Sequence, residues 1–401
     1  MARYTSKKCF VLFAFLLFLA QLLSSGSVNG FRDTSFFDEA ELATDTFDDQ
    51  ITELMNNSHL PSLAVAIIKN ESIVWSEGYG FADIKHQKRP TNETVYMIAS
   101  ISKTFATTAI MQLWEQGCFD LDDDINEYLP FSVRNPNYPN VPITFRMLLS
   151  HRSSISANNL RLFTYFSLFH YPYNHLEGYL TPGGLLYSPR IWKDVPPGKS
   201  TTYTSTGIEL LGFLVECISN ESFIKYCTNH IILPLDMNNT SYHVADYNKD
   251  HLATQYIYLF GKFIPLPYFE DRNYASGGLR SNLNDLSHYL SAFMNGGVYK
   301  GVRILKNETV DLMFTPQYSD SRFSGFGLGW QIFGSHDENN ETNRRIGHNG
   351  GMPGSLTYMF YHVADDVGLI ILSNQHLFYR IKEMVNWFSI IELLSNKAET
   401  V

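Results

Sequence analysis

The sequence predicts a mixed α/β fold: an antiparallel sheet assembled from both ends of the chain, flanked by helices and interrupted by an inserted, mainly helical region. Three observations predict it. Strand-like apolar runs lie near the start and again near the end; the stretch between them is broken by Pro and Gly into helical and loop-like pieces; and a strongly apolar helical segment follows the first strands. The 401 residues, 44% of them hydrophobic, suffice for a large core, and with 17% charged residues the chain is no disordered tail protein.

Taken in order, Arg3, Lys7 and Lys8 precede an apolar run from Cys9 to Leu23 and a small polar stretch from Ser24 to Gly30. That order is the one of a secretory signal. Residues 1–30 therefore read as a signal peptide and 31–401 as one domain, with the helical insertion at about 105–270. The apolar run is short of the roughly 20 residues of a bilayer span, and no later stretch is longer, so the expectation is a secreted, extracellular protein without stable membrane insertion. An uncleaved anchor is the minor alternative. Asp38 to Leu54 reads as a polar leading helix, and Leu63–Ile68 and Ile73–Trp75 as a hairpin turning at Lys69-Asn70-Glu71. Ser100 to Glu115 reads as a buried helix stopped by Gly117, and Leu121 to about Pro267 as helices and loops. Asp285–Asn295 reads as a helix ended by Gly296-Gly297. Gly327–Phe333, Leu356–His362 and Val367–Leu372 read as strands, and Met384–Leu394 as a closing helix. The aromatic segments Leu160–Trp192 and Tyr256–Tyr274 read as packing, with a wall over an active site as the functional alternative.

A net charge of −10 and a pI near 5.7 argue against nucleic acid and anionic membrane surfaces as partners. Asn56, Asn70, Asn92, Asn220, Asn238, Asn239, Asn307 and Asn340 each open an Asn-x-Ser/Thr triplet, in keeping with export and glycosylation. Loss of Cys9 with the signal leaves Cys118, Cys217 and Cys227, an odd number in which Cys217 and Cys227 are close enough to pair. No Cys-x-x-Cys, His-Glu-x-x-His, phosphate loop or dinucleotide fingerprint occurs, so no metal or cofactor is expected. The acidic cluster Asp120, Asp122, Asp123, Asp124 lacks the glycine and terminal Glu of a calcium loop and reads as loop capping.

The chemistry centres on Ser100-Ile101-Ser102-Lys103. A serine hydroxyl needs a base to become a nucleophile, and residues i and i+3 share a helix face, so the Lys103 amine can reach the Ser100 oxygen. Burial and the positive end of the helix dipole both favour the neutral amine that such a base must be. The helix start also offers a backbone N–H for an oxyanion. The tetrapeptide alone is weak, since Ser222-Phe223-Ile224-Lys225 repeats it. Ser222 completes the Asn220 triplet and belongs at the surface, whereas Ser100 opens an apolar helix; context selects Ser100. Tyr203-Thr204-Ser205 follows Pro196-Pro197-Gly198, and His348-Asn349-Gly350-Gly351 comes just before a strand. Without a Gly-x-Ser-x-Gly elbow, an α/β-hydrolase is not expected.

The order Ser100-x-x-Lys103, Tyr203-x-Ser205, His348-x-Gly350 resembles that of the penicillin-recognising serine enzymes: serine β-lactamases, D-alanyl-D-alanine peptidases and related esterases. The likeness is greatest to the class C β-lactamase branch and its animal, secreted β-lactamase-like relatives. Met147-Leu148-Leu149-Ser150-His151, Gly277-Gly278-Leu279, Gly327-Leu328-Gly329-Trp330 and Ile371-Leu372-Ser373-Asn374 fit as well, and the resemblance runs from about Asp49 to Leu394. It implies a β-lactamase/transpeptidase-like fold and an acyl-enzyme on Ser100, with Lys103 as proton acceptor and Tyr203 as acid/base partner protonating the leaving group. It further implies that Ser205 hydrogen-bonds substrate or Lys103, that His348 and Gly350 belong to the substrate-binding strand, and that the N–H groups of Ser100 and Gly351 form the oxyanion hole. Ser205 stands where the family often has Asn, and His348 where β-lactamases usually have Lys. A largely neutral histidine is a poor anchor for a substrate carboxylate. The expected activity is therefore esterase- or peptidase-type rather than efficient β-lactamase, on a small acyl substrate carrying an ester, amide or β-lactam carbonyl. His151 sits in a matching phrase, and packing or hydrogen bonding accounts for it. The alternative reading is a catalytically weak or inactive extracellular glycoprotein associated with a matrix such as shell or cuticle.

Overall fold

The computed structural model describes residues 46–156, 175–270, 273–318, 324–334, 344–376 and 381–401. Phe47–Val401 forms one compact unit. The polar leading helix appears as α1, Phe47–Asn57, three residues beyond its expected end at Leu54, with Ile51 and Met55 buried; residues 38–45 of that expectation lie outside the described residues.

Strands β1 (Ser62–Lys69) and β2 (Ser72–Gly80) form the expected hairpin, with β2 running well past Trp75. Lys69 pairs with Ser72 across a two-residue loop in which Asn70 (φ 49°) and Glu71 (φ 58°) are both left-handed, the signature of a type I′ turn. The C-terminal half supplies β3 (Ser324–Phe326), β4 (Gln331–Phe333), β5 (Arg345–Met352), β6 (Ser355–His362) and β7 (Val367–Ser373). All pairings are antiparallel, in the order β2-β1-β7-β6-β5-β4-β3. β1 meets β7 with Ala64 opposite Leu372 and Ile68 opposite Gly368, so the two ends of the chain lie side by side in one sheet, as expected.

The sheet is buried on both faces, which explains why Leu63–Ile68 is apolar without alternation. Ala64, Ala66 and Ile68 pack into the large core on the helical side, and Leu63, Val65 and Ile67 into a second core beneath α1 and the terminal helix. On the helical side stand α2 (Ser102–Glu115), α3 (Ser205–Ser219) and α4 (Leu283–Met294), and α5 (Ile381–Thr400) closes the other face through Trp387, Ile390, Ile391 and Leu394. The insertion also contains a hairpin, Tyr256–Leu259 with Lys262–Pro265, in a stretch expected to be helices and loops.

One strand expectation needs correction. Gly327–Phe333 is not one strand: Phe326 pairs with Gln331, and the four residues between them turn back on themselves. Gly329 has φ +82°, and a Cβ there would lie 2.2 Å from Thr107 Cγ2, so the turn is pressed against α2 with Trp330 fully buried beside it. The His348 segment does come just before a strand, β6, and is itself part of another, β5. Its glycines hide the strand pattern, and Pro353-Gly354 (φ +74°) makes the turn into β6 that the apolar run Leu356–His362 had suggested.

Cys217 and Cys227 do not pair: Cys118, Cys217 and Cys227 are all free thiols. The acidic cluster caps and pairs as expected. Asp122 takes Arg146, Asp124 takes Arg134 and the Asn126 N–H, and Asp123 takes the Asp120 N–H and the Tyr128 hydroxyl. Of the glycan acceptors, Asn56, Asn70, Asn220, Asn238 and Asn307 are exposed, Asn92 and Asn239 are half-buried, and Asn340 lies outside the described residues.

Candidate active site

Ser100 is set by the backbone on either side of it. Upstream, Tyr96–Met97 pairs with Arg280–Ser281, the Ile98 N–H donates to Leu279 O (3.0 Å), and hydroxyls of β6 take the next carbonyls: Ser355 Oγ donates to Met97 O (2.5 Å) and Thr357 Oγ1 to Ile98 O (2.9 Å). The segment is thereby tied to the sheet before it turns. Ala99 makes the turn in the left-handed region, φ 51°, a conformation costing a side-chain-bearing residue roughly 1 kcal/mol. Ala99–Ile101 is a 3₁₀ turn that runs into α2, so Ser100 sits two residues before the α-helix proper rather than at its first residue.

Lys103 follows on the same face and is fully buried. Its Nζ lies 2.9 Å from Ser100 Oγ and donates to the Ser276 carbonyl at 2.7 Å. Ser276 is held in turn: its N–H donates to Glu209 Oε1 at 2.8 Å, and Glu209 is a buried carboxylate on α3. The amine is thus fixed between the serine and a carbonyl that α3 positions. Neither Ser276 nor Glu209 carries a sequence signal, because their relevance comes entirely from how α3 and the Tyr274–Gly277 turn pack on α2.

Tyr203 reaches the same place from the residue pair before α3. Its ring centroid is 5.2 Å from Lys103 Nζ, 4.6 Å from the His151 ring, 6.0 Å from Phe326 and 6.1 Å from His348. His151 supports that loop, accepting the Thr204 N–H at Nδ1 (3.4 Å) and the Thr202 N–H at its carbonyl (2.7 Å). Burial first, with the basic groups Lys103 and His348 beside it pushing the same way, holds the His151 imidazole well below its ordinary pKa.

His348 is fully enclosed. Its Nδ1 donates to Asn349 O at 2.5 Å, while Nε2 is buried with no hydrogen-bond partner among the described residues. Burial first, and the neighbouring Lys103 amine second, push its pKa down to about 3, so the ring is neutral at physiological pH. Gly350 follows on β5, and here the absence of a side chain is required: a Cβ would lie 2.2 Å from Thr357 Oγ1 and 2.5 Å from Ile98 O. That close approach draws β5 against the segment leading into Ser100.

Ser100, Tyr203 and Gly351 line one cleft of about 720 Å³, together with Ser150, Arg152, Ser200, Thr201, Tyr318, Gly325, Phe326, Gln331, Phe333 and Asn349. Ser205, His348 and Gly350 are buried and are not among the described residues lining it. Its aromatic wall is Tyr203, Tyr318, Phe326 and Phe333, and no described residue of Leu160–Trp192 or Tyr256–Tyr274 contributes; residues 157–174 and 271–272 lie outside the described residues. The signal for Arg152 was one residue past the matching phrase that ends at His151. The Gln331–Asn349 contact, in which the Asn349 N–H donates to Gln331 Oε1 at 3.3 Å, arises from strand pairing alone.

A family model described as Beta-lactamase matches residues 47–384. Protein flp of Staphylococcus aureus (strain NCTC 8325 / PS 47) is 24% identical over 333 residues, covering 80% of this chain and 61% of that protein. The chain thus spans about three fifths of the length of such curated relatives. Among solved structures, the octameric penicillin-binding protein homologue from Pyrococcus abyssi superposes with a TM-score of 0.69 at 26% identity, over 87% of this chain and 77% of that one. A class C β-lactamase superposes with a TM-score of 0.68 at 18% identity, over 90% and 98%. The ordered motifs, the two-ended sheet and a model match that runs through both lead to one conclusion: this chain belongs to the β-lactamase family, a hydrolase fold it shares with penicillin-binding proteins, class C β-lactamases, amidases and esterases.

Proposed function

We propose that the protein is an exported serine hydrolase that works through an acyl-enzyme on Ser100. The observation that carries this reading is the 2.9 Å contact between a fully buried Lys103 Nζ and the hydroxyl of Ser100, which itself opens onto the cleft. Ser100 Oγ adds to the carbonyl carbon of an ester or amide while its proton passes to neutral Lys103 Nζ. The oxyanion forms in front of the N–H groups of Ser100 and Gly351. Tyr203, beside both Lys103 and the cleft, gives its hydroxyl proton to the leaving group as the tetrahedral species collapses, and Lys103 returns a proton to Tyr203. Water then hydrolyses the acyl ester by the reverse sequence, with Lys103 or Tyr203 as the base. Ser205, at the first residue of α3, would hydrogen-bond substrate or Lys103.

A β-lactam is a poor substrate in this reading. The residue standing where β-lactamases have lysine is a buried, neutral imidazole, and Ser205 offers a shorter arm than asparagine. The signal peptide at residues 1–30, the glycans and the kinship with animal secreted relatives belong to the same proposal, supported by five exposed acceptor asparagines: Asn56, Asn70, Asn220, Asn238 and Asn307. Release of the expressed protein into the medium with a mobility shift on glycosidase treatment is expected, and retention inside cells overturns export.

The test of the chemistry is covalent labelling of the purified protein with a fluorescent fluorophosphonate. Wild type is expected to label and Ser100→Ala to lose the label, with slow turnover of a chromogenic cephalosporin. Absence of label after long exposure would make the matrix glycoprotein the better reading, and fast cephalosporin turnover would reverse the substrate ranking.

A further inference from the structure

We infer that Phe326 and Phe333 form an apolar seat for the leaving group, so that the protein prefers esters and amides whose departing alcohol or amine carries an alkyl chain or an aryl ring. The inference rests on the hydrolase reading for its chemistry, and on the following geometry for its place. In that reading Tyr203 protonates the leaving group, so the apolar surface bordering Tyr203 meets the departing half of the substrate. That surface is Phe326. Its ring centroid lies 6.0 Å from that of Tyr203 with 26° between the planes, and its ring meets that of His151 at 4.7 Å, nearly perpendicular.

The wall continues outward along the sheet edge. Phe326 pairs with Gln331 across β3 and β4, and Phe333, two residues further on, shares the face of β4 that carries Gln331. Phe326, Gln331 and Phe333 all line the cleft onto which Ser100 opens. Phe333 keeps 41% of its surface exposed there. Covering a phenylalanine ring is strongly favourable, so a ring held open inside a cleft offers that contact to a ligand. The ring is also braced from behind: Phe360 of β6, fully buried, lies 5.6 Å away. A braced wall loses little freedom when a chain settles on it. The polar lining is by contrast engaged within the protein. Arg152 Nη1 donates to Gly198 O at 2.8 Å and its guanidinium carbon lies 3.8 Å from the Tyr318 centroid, while the Asn349 N–H donates to Gln331 Oε1 at 3.3 Å. Apolar contact discriminates by area, roughly fourfold per fully buried methylene. Partial cover of a short alkyl chain is therefore enough to rank substrates by their leaving groups.

The experiment compares hexyl acetate, its isomer ethyl hexanoate, and ethyl acetate, with each kcat/KM divided by that ester's rate with hydroxide. Wild type is expected to favour hexyl acetate over both ethyl esters by at least tenfold. Phe333→Ser should reduce the hexyl-to-ethyl acetate ratio at least fivefold, and Phe333→Leu should restore most of it. A wild-type ratio near one, an equal fall on all three esters in Phe333→Ser, or a preference for ethyl hexanoate overturns the inference. A second arm does not need turnover: in Ser100→Ala protein, titration by saturation-transfer NMR should show 1-hexanol bound at least tenfold tighter than ethanol, and Phe333→Ser should erase most of the difference. Phe333-dependent hexanol binding in a protein whose wild type neither labels nor turns over ester would sustain the apolar seat and sink the hydrolase reading; equal binding of both alcohols by folded protein sinks the seat.

Discussion

The chain contains the tetrapeptide Ser-x-x-Lys twice, and the two copies have opposite fates. At Ser100–Lys103 the lysine is fully buried and its amine rests on the serine hydroxyl at 2.9 Å. At Ser222–Lys225 the exposed serine side chain turns back to accept the Lys225 N–H (3.4 Å), capping the short helix Phe223–Cys227. Lys225 points outward, 65% exposed, with its amine 3.5 Å from Glu221. Identical spacing gives a reactive contact in one case and a surface cap with a weak ion pair in the other. What differs is the environment. The first copy follows a left-handed residue pinned to the sheet and points its lysine into a core, where the Ser276 carbonyl and the ring of Tyr203 receive it. The second stands on a helix end facing water, where a serine's best available partner is its own backbone.

Substitutions can break or sharpen this contrast, and the largest effect belongs to the lysines. Lys103→Met should slow fluorophosphonate labelling by about 10³-fold, within the usual range for losing a general base, while Lys225→Met should label at the wild-type rate. Equal rates for wild type and Lys103→Met would remove the chemical distinction between the copies. Next comes the sheet contact that only the first copy has. Gly350→Ala places a methyl against Ile98 O and Thr357 Oγ1, and should cost about 3 kcal/mol in urea unfolding, as overpacking does, with labelling lost in the protein that remains folded.

The third test uses pH. His348, pushed down to about 3 when folded, would titrate near its ordinary value when unfolded. Above about pH 6.5 both states are neutral and it contributes nothing; as pH falls the unfolded state takes up the proton first, so stability is lost between about 6.5 and 3. At pH 5 that loss is about 2 kcal/mol for this one group, and His362 and His376, each held near 4 mainly by burial, add in the same direction. Urea unfolding at pH 7 and 5 should show the fall, and His348→Gln should flatten its slope. The smallest effect lies at the second copy: Ser222→Ala should cost about 1 kcal/mol of stability through the lost cap and leave labelling untouched. A labelling defect in that variant would mean that the two copies are not independent.

Much of the fold could be read directly. The runs at Leu63–Ile68 and Val367–Leu372 are long and apolar because their sheet is covered on both faces, so they stood out as strands. The strand holding His348 did not, because Gly347, Gly350 and Gly351 interrupt its pattern for a reason of packing: Phe360 presses on Gly347 and Ile98 on Gly350. Gly327–Phe333 was misread for a related reason, since the pressure of Thr107 on Gly329 makes a turn where local propensity alone suggested extension. Of the site, Ser100, Lys103 and Tyr203 were legible from their order and from the apolar helix around the first pair. Ser276, Glu209, Tyr318 and the inward setting of Arg152 were not.

The sequence by itself determined which tetrapeptide would be buried, since α2 is apolar on several sides and must lie in the core, and it determined that the two chain ends would share a sheet. Only the tertiary structure decided what the buried amine touches, that His348 is sealed off and neutral, and that Arg152 lines the cleft. The physical reason is that burial follows from local apolar patterning. Hydrogen-bond partners, desolvation and the lining of a cleft depend instead on residues 53 to 259 positions apart, brought together by packing.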